Sequence, residues 1–236
     1  MEIILNKKPQ NATIIEGFPG FGLVGTIASE FLIEHLNCEL IGKFWFEDLP
    51  ATIAIHEGKL VHPVGIYYNK KYNLVIVHAI AGASKVEWKI AKLIDDLAKK
   101  LKAKEIISLE GVGSATPSDT NRVFYFSKDP KLEKKLKGAG LEPLSEGIII
   151  GVTSAVMLKA EAAPLSCIFA ETHSSLPDSK AAAKIIEALD KYLGLNVDYK
   201  PLIAMAEKFE EKLKGILQKS RDVMGDKQKK DLSYVG

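Results

Sequence analysis

The sequence predicts an α/β protein whose largely parallel sheet carries helices on both faces. Three observations carry that expectation. Strand-like apolar runs alternate with amphipathic helical stretches along most of the chain. The run from Asn73 to Ile80 is apolar almost throughout, the pattern of a central strand covered on both faces. Glycine-rich stretches follow strand-like runs at Gly17 to Gly25 and again at Gly111 to Gly113, as happens where a strand turns sharply into the next element.

Taken in order, Ala12 to Ile15 reads as a buried strand. Phe21 to Leu36 follows as a helix, with Val24, Ile27, Ala28, Phe31 and Leu32 at helical spacing. Cys38 to Phe46 and Thr52 to His56 look extended, and Lys59 to Tyr68 is placed to pair with them. Several strands with no helix between them make this part of the sheet mixed or bent. After the Asn73 to Ile80 strand, Lys85 to Leu101 is an amphipathic helix with Val86, Ile90, Leu93, Ile94, Leu97 and Leu101 inward. Glu105 to Leu109 is the next strand, and Asp129 to Gly138 a short helix with glycine past its end. Gly147 to Val152 reads as another buried strand, Thr153 to Ala162 as helix, and Leu165 to Glu171 as strand. Asp178 caps a helix that runs to Leu193 and stops at Gly194.

The α/β unit is expected to span 1–198. Pro201 then opens an amphipathic helix to about Met224, assigned 199–224, with Leu202, Met205, Phe209, Leu213, Ile216 and Val223 in one stripe. That stripe packs on its own domain, on a sister subunit or on a partner. The charged stretch 225–236 lacks a core pattern and is expected to be a flexible tail, with apolar residues returning at Leu232, Tyr234 and Val235.

Composition narrows the function. The 236 residues are 47% hydrophobic, enough for a sizeable core. A net charge of +2 with nearly balanced signs gives no support for a nucleic-acid surface. No apolar run approaches the length of a membrane span, and Met1 to Lys8 is too short and polar for a signal peptide, so a cytoplasmic protein is expected. The two cysteines, Cys38 and Cys167, sit in separate apolar runs with no metal or redox spacing. The five histidines lack ligand spacing; no metal site and no cofactor are expected.

The most informative stretch is Glu16-Gly17-Phe18-Pro19-Gly20-Phe21-Gly22-Leu23-Val24-Gly25. Its Gly20-x-Gly22-x-x-Gly25 spacing, on a strand-to-helix turn, suits a pyrophosphate cradle. Against that, four residues separate the strand from the first glycine of the motif, and the next strand-like run meets no acid until Glu47. The loop also carries Phe18 and Phe21, both expected to be exposed, which a phosphate cradle does not need. Close helix–strand packing demands glycine equally well. Gly111, Gly113, Thr153-Ser154 and the stretch Glu171 to Asp178, with His173, are expected at the same carboxyl edge, where open α/β sheets bind ligands. His173 beside Glu171 is either a base or a side chain bonded within its own loop. Glu16 and Glu110, each at a strand end beside glycine, are either paired acids or caps on neighbouring amides. No Gly-x-Ser-x-Gly nucleophile elbow exists, and no catalytic residue is assigned.

Together, the Glu16 to Gly25 stretch, Glu110-Gly111-Val112-Gly113, Gly147 to Thr153 with Met157-Leu158, Phe169-Ala170-Glu171-Thr172 with Pro177-Asp178 and Ala181-Ala182, and Ala206 to Glu210 resemble the proteasome assembly chaperone family in its archaeal branch. The resemblance covers nearly the whole chain except the tail. It implies a three-layer α/β/α sandwich like that of nucleoside phosphorylases, with a C-terminal helical extension and without established catalysis. It further implies a homo-oligomer whose partners are proteasome α subunits or another assembly factor. Some members end in a hydrophobic–tyrosine–any-residue tail that docks between α subunits. Here Tyr234 stands one position early, and Val235 occupies the place of the tyrosine before Gly236. On this reading the partner-binding residues are Leu232, Tyr234, Val235, Gly236, Phe18 and Phe21. A nucleotide- or nucleoside-binding enzyme using the glycine loops is the alternative.

Overall fold

The computed structural model describes residues 2–48, 53–56, 58–80, 82–113, 122–172 and 176–204. The expected terminal helix beyond residue 204 and the whole tail lie outside them.

Four parallel strands form the centre of the sheet: β7 (Leu74–Ala79), β2 (Thr13–Gly17), β8 (Glu105–Gly113) and β11 (Leu165–Thr172). Every residue of β7 is buried, as its unbroken apolar run requires. On one side the sheet continues antiparallel through β6 (Val64–Asn69), β3 (Glu39–Trp45) and β1 (Glu2–Leu5). On the other, β9 (Val123–Ser127) runs antiparallel to β11 and carries the two-residue β10 (Glu142–Pro143). The expected mixed region is therefore the β3–β6–β7 side. A separate hairpin joins β4 (Ala54–His56) to β5 (Lys59–Val61). β1 and β9 carry no assignment from the sequence, although the Val-Phe-Tyr-Phe content of β9 suits a strand.

Alternation along the strands splits the core in two. Ile14, Val75, Val77 and Ile106 face a layer made by α2 (Glu87–Leu101) and α4 (Val152–Lys159). Ile15, Leu74, Ile76, Ile107 and Leu109 face α1 (Val24–His35), α3 (Pro130–Gly138) and α5 (Ser179–Leu193). Helices thus cover both faces of the sheet. Ile90, Leu93, Ile94, Leu97 and Leu101 of α2 are buried as the helical spacing demands, each contributing roughly 1.5–3 kcal/mol of transfer free energy. Asp129 caps α3 through Lys131 and Leu132, and Asp178 caps α5 through Ala181. Gly194, at φ +67°, ends α5 in the left-handed conformation.

One expected strand is absent. Residues 147–151 form an irregular loop, with Ile148 90% and Ile150 76% exposed. A strand needs a free ladder, and both sides of β8 are already taken by β2 and β11. The segment instead leaves the sheet and enters α4 at Gly151, whose φ of +84° permits the turn.

Candidate functional site at the carboxyl edge

All four parallel strands end at one edge, so β2, β8 and β11 deliver their last residues to the same place. Glu16 and Ser108 stand side by side in register. Alternation puts them, with Glu110, on the α2–α4 face, and the first turn of α4 brings Thr153 over them. The Ser108 hydroxyl bonds Glu16 Oε1 and lies 2.9 Å from Thr153 Oγ1, which donates to Glu110 Oε2 at 3.2 Å. Glu110 Oε1 accepts the Gly111 N–H at 3.2 Å, and the Phe21 N–H is directed at the same carboxylate.

Glu16 is fully buried, and burial pushes its pKa up to about 8; the bond from Ser108 opposes this and the charge of Glu110 adds to it. Burial also raises Glu110, to about 7, against the stabilising bonds from Gly111, Thr153 and Phe21. Ser108 has one hydroxyl proton and two acceptors within reach, Glu16 Oε1 and Thr153 Oγ1, while Thr153 donates to Glu110. Glu16 Oε2 is left without a partner among the described residues.

The glycines meet around this carboxylate. A Cβ on Gly20 would fall 1.9 Å from Glu110 Oε1, and one on Gly111 would fall 2.1 Å from the Phe21 carbonyl oxygen. A Cβ on Gly25 would fall 2.3 Å from the Leu109 carbonyl oxygen, so α1 crosses β8 at a distance only glycine allows. Gly22 adopts φ +66° against Thr172, and Gly113 lies beside the Phe21 ring. Thr172 donates to Asp178 Oδ2 at 2.6 Å, and the Asp178 N–H donates to the Gly22 carbonyl at 2.9 Å. The β2–α1 turn, the end of β8 and the end of β11 with Asp178 are therefore tied to one another. Two amides that a phosphate would use, Phe21 and Gly111, already face the chain's own carboxylate.

The expected residues divide as follows. Gly20, Gly22, Gly25, Gly111 and Gly113 are brought together. Phe21 is 42% exposed, whereas Phe18 is 3% exposed and packs in the α2–α4 core, a correction to its expected exposure. The residue after Phe18 is Pro19, and the chain there is still leaving β2, which explains the inward ring. His173, Leu232, Tyr234, Val235 and Gly236 lie outside the described residues. Glu16 and Glu110 do both things the sequence left open, forming an acid pair while Glu110 also accepts from neighbouring amides. Ser108 gave no signal beyond being a hydroxyl in an apolar strand.

Between the β2–α1 turn, the start of α2 and the 147–151 loop lies a cleft of about 600 Å³. Glu110 forms part of its wall, with Glu87, Phe21, Ile148 and Ile150 around it.

Fold and site define the class first: a mixed α/β protein whose strand-to-helix turns close on one another around buried carboxylates. The chain belongs to the PAC2 family, whose model matches residues 14–217. Among solved structures it is similar to Pyrococcus furiosus PbaA, described as an archaeal homolog of proteasome-assembly chaperone. Identity there is 35% and TM-score 0.83, covering 91% of this chain and 95% of that one. It shares the fold of Pyrococcus furiosus PbaB, described as an archaeal proteasome activator, at 24% identity and TM-score 0.76 over 91% and 98% of the two chains. An uncharacterised Methanocaldococcus jannaschii protein is 28% identical over 96% of this chain and 94% of its own length.

Proposed function

We propose that the protein is a non-enzymatic binding scaffold that works with the proteasome, as an assembly chaperone or a related factor, in the cytoplasm and as a homo-oligomer. The observation that carries this is the end-to-end likeness to PbaA, a homolog of proteasome-assembly chaperone. Exposed apolar side chains support polypeptide recognition: Phe21, Ile148 and Ile150 at the carboxyl edge, Trp88 on α2, and Ile55 and Leu60 on the β4–β5 hairpin. Side chains of this kind, grouped rather than scattered, mark contact surfaces. The glycine turns, on this reading, serve the close approach of α1 to β8.

The chain is read as three parts: an α/β/α domain over 1–198, an amphipathic helix over 199–224 that meets sister subunits, and a tail over 225–236. Leu232, Tyr234, Val235 and Gly236 of the tail, with Phe21, engage a proteasome α subunit or another assembly factor. Deleting 225–236 should leave circular dichroism and melting unchanged while weakening capture of archaeal proteasome α subunits in a pulldown. Equal capture by the shortened chain would refute the docking tail.

A further inference from the structure

The cleft beside Glu110 sets a buried carboxylate in an apolar wall. Glu110 is 7% exposed, yet no basic side chain pairs with it among the described residues. Two other buried acids are matched by a cation: Glu171 is held bidentately by Arg122 at 3.0 and 3.2 Å, and Asp95 by Lys99 at 2.7 Å; Glu16 and Glu105 are bonded by hydroxyls instead, but neither lines the cleft. The fixed donors on Glu110 are the amides of Phe21 and Gly111 and the hydroxyl of Thr153. A carboxylate has about four acceptor positions, so this set leaves it short of one donor. A desolvated carboxylate is costly until a cation completes it.

The lining carries the same sign throughout. Its charged side chains among the described residues are Glu110 and Glu87, and no lysine, arginine or histidine joins them. Two carboxylates repel a phosphate or carboxylate ligand and attract an ammonium. Around them the wall is apolar: Phe21, Ile148, Ile150 and Val152. Ile148 and Ile150 hold most of their surface open to water, at 90% and 76% exposure. An apolar ligand body would cover that surface. A volume of about 600 Å³ suits a small molecule.

We propose that the cleft between the β2–α1 turn, the N-terminus of α2 and the 147–151 loop binds a small organic cation, a primary amine on an apolar body, with its ammonium on Glu110. The body lies against Ile148, Ile150 and Phe21, and Glu87 adds a second negative charge at the mouth. The inference stands apart from the scaffold reading, since it concerns a metabolite-sized ligand.

The test uses the full-length protein and three probes of equal length, hexylamine, hexanol and hexanoate, titrated by calorimetry and by ligand-observed NMR. Saturable binding of hexylamine at least about tenfold tighter than hexanol, with hexanoate weakest, supports the assignment. Glu110→Gln should remove that preference while leaving hexanol binding unchanged. Should Glu110→Gln fail to fold, Ile150→Lys, at an exposed position, reads the same question: its added cation should abolish hexylamine binding. Equal affinity for the three probes, or a hexylamine preference that survives Ile150→Lys or Glu110→Gln, overturns the proposal. Binding of the acetylated, amidated dipeptide Phe-Lys with none of hexylamine overturns it too, by moving the cation onto a polypeptide partner.

Discussion

Gly25→Ala tests whether the glycine turn exists for packing. Gly25 is buried in the first turn of α1, and an added Cβ would lie 2.3 Å from the Leu109 carbonyl oxygen and 3.4 Å from Gly17 Cα. Both neighbours are backbone, so neither can swing away as a flexible side chain would. The α1–β8 spacing must open by about 1 Å to restore ordinary contact distance. That motion loosens Val24, Ala28 and Leu32, which are fully buried between α1 and the sheet. Overpacking of this kind costs about 3 kcal/mol. Helix propensity acts in the opposite sense, since alanine in a helix is better than glycine by about 1 kcal/mol. The clash wins, and the net loss is about 2 kcal/mol. For a chain of this length that lowers Tm by about 4–8 °C in scanning calorimetry. Gly138→Ala is the control, because a Cβ there meets nothing within 4 Å at the end of α3, and it should hold Tm or raise it. An unchanged or higher Tm for Gly25→Ala would refute the packing argument and return the motif to ligand binding.

The remaining expectations concern buried charge. Glu16 has its pKa raised from 4.5 to about 8, so the folded state holds a proton that the unfolded chain gives up above pH 4.5. Its favourable contribution is complete below 4.5 and lost as pH rises through about 8. His78, buried against Ser29 at 2.8 Å, has its pKa lowered from 6.5 to about 4, so its contribution is lost as pH falls from 6.5 toward 4. Urea midpoints should therefore decline between pH 6.5 and 8.5, and Glu16→Gln should flatten that limb while steepening the rise between pH 4.5 and 6.5, where the loss from Glu16 otherwise opposes the gain from His78; identical slopes in both proteins would count against the buried acid. Asp95 accepts the N–H groups of Glu161 and Ala162 at 2.8 Å each and ties α2 to the turn after α4. Asp95→Ala should cost about 2 kcal/mol by urea unfolding, with hydrogen exchange accelerating at residues 160–163 first; a loss spread evenly over the molecule would disprove the local tie.

Much of the fold was legible because periodicity reports burial directly. The apolar run of β7, the helical stripe of α2 and the caps at Asp129, Asp178 and Gly194 all depend on residues close together in the chain. The Gly147 to Val152 segment misled because three isoleucines look the same in a buried strand and in an exposed loop; the difference lies in whether the sheet has a free ladder beside β8. Phe18 and Phe21 sit three positions apart in one loop, and only the path of the turn decides that one enters the core and the other faces the cleft. Glu16 and Glu110 were recognisable as acids beside glycine. Their joining through Ser108 and Thr153 was not, since those hydroxyls come from a strand and a helix far apart in sequence.

Reading along the chain alone was enough for most of the elements, the parallel centre of the sheet and the resemblance that led to the PAC2 family. These follow from spacing along the chain, where apolar period and turn residues act within a few positions of each other. The tertiary structure alone decided which loop amides face Glu110, that no cation among the described residues pairs with this acid, and that an apolar cleft opens beside it. Those properties arise from side chains of different elements meeting where the strands end, and desolvation at such a meeting has no counterpart in the unfolded chain.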